Sequence, residues 1–310
     1  MRRTAQRGVA VVTAILVVAV AASAATYMLS QQSATLNQTA LVASRAQADF
    51  YAQAGLDWAR GILAEDARNS AIDTLEEGWA RPLAGLPVER AVVSGAIADL
   101  QSRYNLNNVV KDGRRSDGDV QILTRLLDSL GLDPALALSV LDWIDADSDL
   151  AASSGAEDAY YLALPRPHRA ANRPMAQLEE LYLLRGFDAK TVAKLRPFVT
   201  ALPSRTPVNA NTAAPEVLAA ILPELSREEI RELVASRRAR PFKDRADLKA
   251  RAKKAAPAAI DADLDVKSDN FLVQVSVAQD DVQVATEALV ARAAAGATPA
   301  TAIIWRRSLY

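Results

Sequence analysis

Residues 9–29 read VAVVTAILVVAVAASAATYML, and this stretch decides the fold because it contains no charged side chain. At 1.5 Å per residue, a helix of this length is about 30 Å long, which matches the hydrocarbon core of a bilayer. Arg2, Arg3 and Arg7 precede the stretch, and the next charge in the chain is Arg45. By the positive-inside rule, the sequence predicts a single membrane span with a cytoplasmic N-terminus and the body of the chain outside; for a bacterial chain these are the inner membrane and the periplasm.

A cleaved secretory signal is the alternative for the same stretch. Residues 22–24, Ala-Ser-Ala, form a small-x-small cleavage site, and a released hydrolase that begins at Ala25 would follow from it. Against this alternative, neither glycine nor proline occurs in residues 9–54, so nothing interrupts a helix through and beyond the span. Small and apolar side chains recur every three or four positions in residues 36–58, which predicts that the span continues as an amphipathic helix.

Composition restricts the class of the remaining chain. The protein has 310 residues, and half of them are apolar, which is enough for one large or two smaller packed domains. A formal net charge of −1 argues against a protein that coats nucleic acid or an anionic membrane. The absence of cysteine excludes disulfides, thiolate metal sites and a cysteine nucleophile.

Hydrophobic periodicity divides the body into strand and helix regions. Residues 61–87 predict a loop-rich connection, and the β-branched residues 88–110 predict one or two strands. About six helices follow in residues 118–262, and strand character returns only in residues 269–310. We therefore expect an α+β fold. In it, the long N-terminal helix packs on a small antiparallel sheet, and a large all-α domain is inserted between the strands of that sheet.

The N-terminus resembles the precursors of type IV pilin-like proteins, because a short basic leader ends in Gly8 just before the apolar helix. The resemblance implies that a prepilin peptidase cuts between Gly8 and Val9 and that the new N-terminal Val9 is methylated. The fifth mature residue of that family is usually glutamate, whereas here it is Thr13. Either Thr13 is simply tolerated, or an uncharged residue is favoured at this position because of where the subunit lies in a filament.

The physical reason concerns the cost of charge in a membrane. A carboxylate in the bilayer is costly unless it is paired, and its proposed partner in pilin-like filaments is the N-terminal amine of the neighbouring subunit. A subunit with no neighbour above it would carry that charge unpaired. The Thr13 hydroxyl avoids the cost, since it can bond to a backbone carbonyl of its own helix.

Five segments of the body carry a more specific resemblance, to the protein K family of minor pseudopilins in the type II secretion system. This resemblance implies a pseudopilin fold with a large inserted α-domain. It also implies a place at the tip of a periplasmic pseudopilus with minor pseudopilins I and J, where the subunit helps to initiate assembly for secretion across the outer membrane. The segments are IADLQSRYNLNNVV (97–110), VLDWIDADSD (140–149), PRPHRAANRPMAQLEELYLLRGFD (165–188), RPFVTALP (196–203) and TPVNANTAAPEVLAAILP (206–223).

The bulk of the insert agrees with a position at a filament end. A helical filament packs its subunits side by side, and an insert of roughly 145 residues is large enough to collide with subunits above it. The predicted boundaries are 1–8 for the leader peptide, 9–29 for the transmembrane part of the helix, 30–117 and 263–310 for the two parts of the pseudopilin domain, and 118–262 for the inserted α-domain.

An acidic stretch in the α-domain is the candidate metal site. Asp145, Asp147 and Asp149 alternate like the first ligands of an EF-hand, but Leu150 stands where that loop needs glycine and Ala156 where it needs glutamate. The stretch is therefore not an EF-hand, although its hard oxygen ligands suit Ca²⁺.

The family resemblance supports calcium bound in this region, and the alternative is a solvated acidic loop. Asp142 is expected to lie in the preceding helix and to face solvent. The candidate ligands are Asp145, Asp147, Asp149, Glu157 and Asp158.

Residues 206–248 resemble a helix-hairpin-helix unit, a fold that often grips DNA. Its hairpin, residues 222–226, has no glycine and contains Glu224 where an anion should bind. Nine lysines and arginines follow in residues 237–254, so a membrane-anchored periplasmic DNA-binding protein is the second functional hypothesis. We expect a solvated helix face and no nucleic acid partner. The chain has no phosphate-binding glycine loop, HExxH or GxSxG motif, so we also expect no enzymatic activity.

Overall fold

A computed structural model describes residues 3–293 and 300–309 of the chain. Its first element, α1 (Arg3–Asn69), has 67 residues and is therefore about 100 Å long. Gly55 lies where this helix approaches the sheet most closely, because a Cβ at that position would come within 2.9 Å of the Val275 side chain. Of the helices described, α1 is the one long and apolar enough to cross a membrane.

The strands form one main sheet and three two-residue pairings. The main sheet is antiparallel, with the order β1-β2-β9-β10-β11. The strands are β1 (Leu83–Val88), β2 (Ala91–Asp99), β3 (Tyr104–Asn105), β4 (Val110–Lys111), β5 (Arg114–Arg115), β6 (Val199–Thr200), β7 (Val208–Asn209), β8 (Leu264–Asp265), β9 (Asn270–Gln279), β10 (Val282–Ala293) and β11 (Ala300–Leu309).

Alternation along β9 explains why the sheet packs on α1. Phe271, Val273, Val275 and Val277 are buried on one face, where they meet Leu56 and other small apolar side chains of α1. Side chains alternate between the faces of a strand, so the other face is left for polar residues and for the α-domain. The predicted fold class, with a long helix on a small antiparallel sheet, is confirmed.

The loop-rich connection predicted for residues 61–87 contains more regular structure than expected, at both of its ends. The helix α1 continues to Asn69, because its buried stripe extends to Leu63. Residues 83–88 then form the edge strand β1, although they include Gly85 and Pro87. An edge strand has one side free of ladder hydrogen bonds, and β1 also has a register shift between Leu83 and Leu86, so it tolerates both residues.

Eight α-helices of the described residues lie between β2 and β9 and form the α-domain, where about six were predicted. Five of the eight helices have seven residues or fewer, which makes them difficult to count from sequence periodicity. The eight helices of the α-domain are therefore shorter and more numerous than predicted. They share one hydrophobic core, separate from the core between α1 and the sheet. The helices are α2 (Asp117–Ser129), α3 (Leu136–Ile144), α4 (Asp158–Tyr161), α5 (Ala189–Leu195), α6 (Pro215–Ile221), α7 (Arg227–Ala239), α8 (Arg245–Arg251) and α9 (Pro257–Asp263).

Of residues 88–110, which were predicted to contain one or two strands, β2 is confirmed, whereas the last part contains a short 3₁₀ turn, Leu106–Val109. Buried asparagine side chains take the place of a strand ladder there. The Asn107 amide donates to the carbonyls of Met175, at 2.9 Å, and Leu202, at 2.8 Å, and its oxygen accepts from the Met175 amide at 2.7 Å. These side-chain bonds satisfy backbone groups of distant loops, which local propensity does not reveal.

Candidate functional site

The acidic cluster is built from the end of one helix and the start of the next. Asp142 lies in the last turn of α3, Asp145 is the residue at which α3 ends, and Glu157 immediately precedes α4. The intervening loop carries Asp147 and Asp149 on the surface. Carboxylates from three separate segments therefore face the same small volume.

Three of these carboxylates are buried and have oxygens that lack a donor, although Asp142 Oδ1 accepts from the Ala151 amide at 3.1 Å. The exposed fraction is 0% for Asp142, 8% for Asp145 and 5% for Glu157. Asp142 Oδ2, Asp145 Oδ1 and both carboxylate oxygens of Glu157 receive no hydrogen bond. The expectation that Asp142 faces solvent is therefore wrong. A spacing of three residues on α3 places Asp142 on the same face as Asp145, and that spacing was the available sequence signal for its role.

Burial and mutual repulsion raise the pKa values of the cluster. The pKa of Glu157 is raised to about 7, first by burial and then by the charges of Asp142 and Asp145. The pKa of Asp145 is raised to about 6 by burial and by the charges of Asp147 and Asp142. No lysine or arginine in the described part of the chain lies within ion-pair distance of these four carboxylates. The cluster thus concentrates negative charge that the protein itself does not neutralise.

Gly155 shapes the other wall of the cluster. A Cβ at this position would overlap Asp142 Oδ2 and would also lie 3.2 Å from the Ala152 carbonyl. The Arg185 guanidinium donates to the Gly155 carbonyl at 2.8 Å, which fixes this part of the loop from behind. Only glycine allows the loop to approach Asp142 this closely.

Two predicted ligands have other contacts. Asp149 is exposed, and its amide donates to Asp147 Oδ1 at 2.9 Å. Asp158 Oδ1 accepts from the Ala170 amide at 3.0 Å, and Asp158 Oδ2 lies 3.7 Å from the Arg169 guanidinium. The structure therefore brings together Asp142, Asp145, Asp147 and Glu157, with Asp149 and Asp158 at the margin.

The donor set of this cluster fits a hard divalent cation. Its ligands are carboxylates, four of its buried oxygens lack donors, and Ca²⁺ accepts six to eight oxygens in flexible geometry. The carboxylate oxygens of this cluster do not all lie within 4.8 Å of one another. Among the described residues, the three acidic side chains that meet this distance are Asp66, Asp73 and Glu77, in another part of the molecule. Calcium bound in the loop would need the exposed segment around Asp147 to complete its coordination shell.

The basic run of residues 237–254 differs from the acidic cluster because most of its charges are used internally. The half-buried Arg237 side chain donates from its guanidinium to the carbonyls of Ala210 and Ala213, both at 2.7 Å, and the Arg251 guanidinium lies 4.1 Å from the centre of the Phe242 ring. Six of the nine basic side chains have such internal partners: Arg237, Arg240, Arg245, Lys249, Arg251 and Lys254.

The hairpin between α6 and α7 also has its anion site occupied by the chain. Glu229 accepts from the Ser226 amide at 2.8 Å, and the Ser226 hydroxyl accepts from the Glu229 amide at 3.2 Å, which is a capping box. Lys254 lies 2.6 Å from the Glu229 carboxylate, and these contacts lower the pKa of Glu229 to about 2. A phosphate would have to displace this carboxylate, so the structure does not support the DNA-binding hypothesis.

The membrane segment is continuous helix through Gly8, Val9 and Thr13. The Thr13 hydroxyl donates to the carbonyls of Val9, at 3.0 Å, and Ala10, at 2.9 Å. The side chain is thus satisfied within its own helix and requires no partner from a neighbouring subunit.

Two family models, both described as type II secretion system protein K, match residues 102–204 and 208–267, which together make up more than half of the chain. The protein K of Aeromonas hydrophila is 30% identical and aligns with 93% of this chain and 93% of its own length. The Pseudomonas aeruginosa protein K is 33% identical over 79% of this chain and 76% of its own, and that of Klebsiella pneumoniae is 34% identical over 76% of both.

A solved structure shares the fold. A chain in the crystal structure of the GspK-GspI-GspJ complex from the enterotoxigenic Escherichia coli type 2 secretion system superposes with a TM-score of 0.77 and 24% identity. The match covers 88% of this chain and 99% of that one. With the family models, the relatives and the fold in agreement, the chain belongs to the protein K family, the minor pseudopilins of the type II secretion system.

Proposed function

We propose that this minor pseudopilin caps the tip of the periplasmic pseudopilus and helps to initiate its assembly. The observation that carries the proposal is the α-domain: eight helices are inserted between β2 and β9 of an otherwise small helix-and-sheet subunit. Subunits that pack along a filament leave no room for a domain of this size above them. The filament end is the position that accommodates it.

The membrane helix supports the same position. The apolar part of α1 anchors the chain in the inner membrane, with the arginine-rich end in the cytoplasm and the head in the periplasm. Prepilin peptidase removes residues 1–8 after Gly8, and Val9 becomes the methylated N-terminus. Thr13 then presents no charge that would need the amine of a neighbouring subunit.

Minor pseudopilins I and J are the proposed neighbours within the tip. Support comes from the solved complex, in which the similar GspK chain is assembled with GspI and GspJ. The role is structural and requires no catalytic residue. It does require a rigid α-domain, since that domain forms the exposed end of the filament.

Calcium is the proposed source of part of that rigidity. Asp142, Asp145, Asp147 and Glu157 would hold the ion, with Asp149 or Asp158 as additional or alternative ligands at the margin. Bound calcium would supply the positive charge that the surrounding side chains lack, and it would join the end of α3 to the start of α4. The support is the set of buried oxygens without donors beside Gly155.

Labelling of assembled pseudopili tests the position. We expect one copy of this chain at one end of each filament, detected with gold bound to an epitope in the exposed α-domain. Label distributed along the filament would overturn the proposal. A Thr13→Glu variant sharpens the test, because it carries the charge typical of subunits inside the filament and should assemble less efficiently at the tip, whereas Thr26→Ser should behave as wild type.

Mass spectrometry of the N-terminus tests the processing. We expect a mature chain that starts at methylated Val9 in cells with prepilin peptidase and an unprocessed chain in cells without it. A mature chain that starts at Ala25 would instead establish a cleaved secretory signal.

A further inference from the structure

A second group of carboxylates lies where α1 ends and the chain turns toward the sheet. Asp66 is in the last turn of α1, and Asp73 and Glu77 follow in the loop that leads to β1. One ligand oxygen from each side chain lies within 4.8 Å of the other two. This junction belongs to the pseudopilin part of the molecule and is formed without any residue of the acidic loop between α3 and α4.

One arginine partly neutralises the group. Arg292 of β10 pairs with Asp66 at 3.0 Å and with Asp73, and its guanidinium is held 5.0 Å from the centre of the Phe271 ring. No other described lysine or arginine forms an ion pair with Asp66, Asp73 or Glu77. Three carboxylates and one guanidinium leave two negative charges, which is the complement of one divalent cation.

The hydrogen bonds of the group leave one buried oxygen without a donor. The Oδ2 atoms of Asp66 and Asp73 accept from Arg292, and Glu77 Oε2 accepts from the Thr74 amide at 2.7 Å and from the Trp79 indole at 3.0 Å. Asp73 Oδ1 has no donor, although the Asp73 side chain is only 1% exposed. A buried carboxylate oxygen without a donor is unfavourable unless a ligand satisfies it.

We propose that Asp66, Asp73 and Glu77 form a second binding site, for a hard divalent cation of the Ca²⁺ type. Carboxylate oxygens are the preferred ligands of such ions, and water completes the shell on the side where Asp66 and Glu77 are half-buried. The ion joins the last turn of α1 to the loop that follows. The same carboxylates already bind β10 through Arg292 and the connection between β8 and β9 through the Ser268 amide, which donates to Asp73 Oδ2 at 2.7 Å.

The consequence of an ion at this position is mechanical. The backbone of Asp73 is also held from both sides, because its amide donates to the Val266 carbonyl at 2.9 Å and its carbonyl accepts from Asn209 at 3.1 Å. Val266 and Asn209 belong to the segments at the base of the α-domain. An ion here therefore fixes the direction in which the membrane helix leaves both the sheet and the α-domain.

Terbium luminescence tests the site on the full chain in detergent, because Trp79 donates directly to the proposed ligand Glu77 and can sensitise a bound ion. The background carries Asp145→Asn and Glu157→Gln, which removes the acidic loop as a competitor. We expect Tb³⁺ alone to give tryptophan-sensitised emission that Ca²⁺ displaces. Glu77→Gln should weaken Tb³⁺ binding roughly tenfold or more, as for the loss of a metal-supporting group. The matched control Glu76→Gln, at an exposed neighbouring position, should bind as the background does.

A Trp79→Phe variant separates binding from sensitisation, since it should lose the emission and yet, with all three carboxylates kept, still bind Ca²⁺ more tightly in dialysis than Glu77→Gln does. The absence of sensitised emission in the background chain would overturn the proposal. Equal Tb³⁺ affinity in Glu77→Gln and Glu76→Gln would also overturn it. Melting curves in EDTA verify that each variant is folded, and Glu77→Gln is chosen because its amide oxygen can still accept from Thr74 and Trp79.

Discussion

The acidic loop of residues 142–158 and the basic run of residues 237–254 are two segments of the α-domain in which one sign of charge predominates, and they use their charges in opposite ways. Six of the nine basic side chains bond to other parts of the domain. The acidic loop instead buries Asp142, Asp145 and Glu157 with four oxygens that receive no hydrogen bond. From sequence alone both are runs of like charge, and each could be read as a binding surface.

The difference teaches that a charged segment indicates a ligand only when the protein leaves its charges unpaired. Arg237 is half-buried, and two backbone carbonyls accept from its guanidinium, so it acts as a packing residue. Glu157 is more deeply buried, with no donor to either carboxylate oxygen, and its pKa is raised to about 7 first by this burial and then by the charges of Asp142 and Asp145. The acidic loop is therefore the segment expected to respond to an added ion, and the basic run is the one expected to be inert.

Calcium should have the largest effect on stability. A ligand at about a thousand times its Kd stabilises the folded state by about 4 kcal/mol if it does not bind the unfolded chain. Thermal unfolding of the full chain in detergent should show a higher melting temperature in calcium than in EDTA. The Asp145→Asn, Glu157→Gln double variant should lose most of that difference. Identical melting temperatures of the wild type in calcium and in EDTA would remove the basis of the contrast.

The pH dependence should depend on Asp99, a buried carboxylate that has donors but no cation. Gln101 and Ser268 each donate to it at 2.7 Å, yet burial raises its pKa to about 6. The unfolded chain releases this proton near pH 4, so the free energy of unfolding should fall by about 3 kcal/mol as the pH rises from about 4 to 6. Above the folded pKa the contribution stays constant.

Denaturant unfolding of the wild type and of Asp99→Asn, at matched pH values in EDTA, isolates the contribution of Asp99 to the free energy of unfolding. The variant should have a flatter profile between pH 4 and 6, since its side chain does not titrate. Parallel profiles of the two proteins would show that Asp99 does not have a raised pKa in the folded chain.

The substitution Gly155→Ala should have a smaller effect, because it moves the loop without removing a ligand. The new Cβ would overlap Asp142 Oδ2, and overpacking of this kind costs about 2 kcal/mol. We expect a lower melting temperature and weaker calcium binding. Gly118→Ala is the matched control: nothing lies within 4 Å of its new Cβ, so in α2 it should be neutral or stabilising by up to about 1 kcal/mol. Equal behaviour of the two variants would mean that the loop does not need glycine at position 155.

Duplex DNA should not bind to the chain, so this is the smallest effect that we predict. Salt-sensitive binding at about 50 mM salt is the signature of a functional basic surface. Because Glu229 and Lys254 pair at 2.6 Å and the Ser226 cap closes the hairpin, we expect no shift of labelled DNA by the full chain. Strong binding that disappears at about 200 mM salt would show that the basic run is available to a phosphate backbone.

The sequence predicted those features that depend on local pattern. The apolar stretch of residues 9–29, the unbroken helix after it, the inserted helical block and the acidic loop all follow from periodicity and composition. Family resemblance added the identity, which the family models confirm.

Features that depend on distant partners could not be predicted. The partner of Asp73 is Arg292, 219 positions away, and the burial of Asp142 depends on how the loop folds back at Gly155. Strand β1 escaped prediction because its edge position, and not its composition, allows Gly85 and Pro87. In each case the deciding contact joins segments that sequence spacing does not relate.

Isothermal titration of Ca²⁺ into the metal-free full chain tests most directly the claim that the acidic loop is left unpaired for a cation. We expect saturable binding in the wild type and the loss of one binding event in the Asp145→Asn, Glu157→Gln double variant. A variant with substitutions in the basic run, Arg238→Gln and Lys253→Gln, should bind as the wild type does. Equal binding by the wild type and the double variant would contradict the claim.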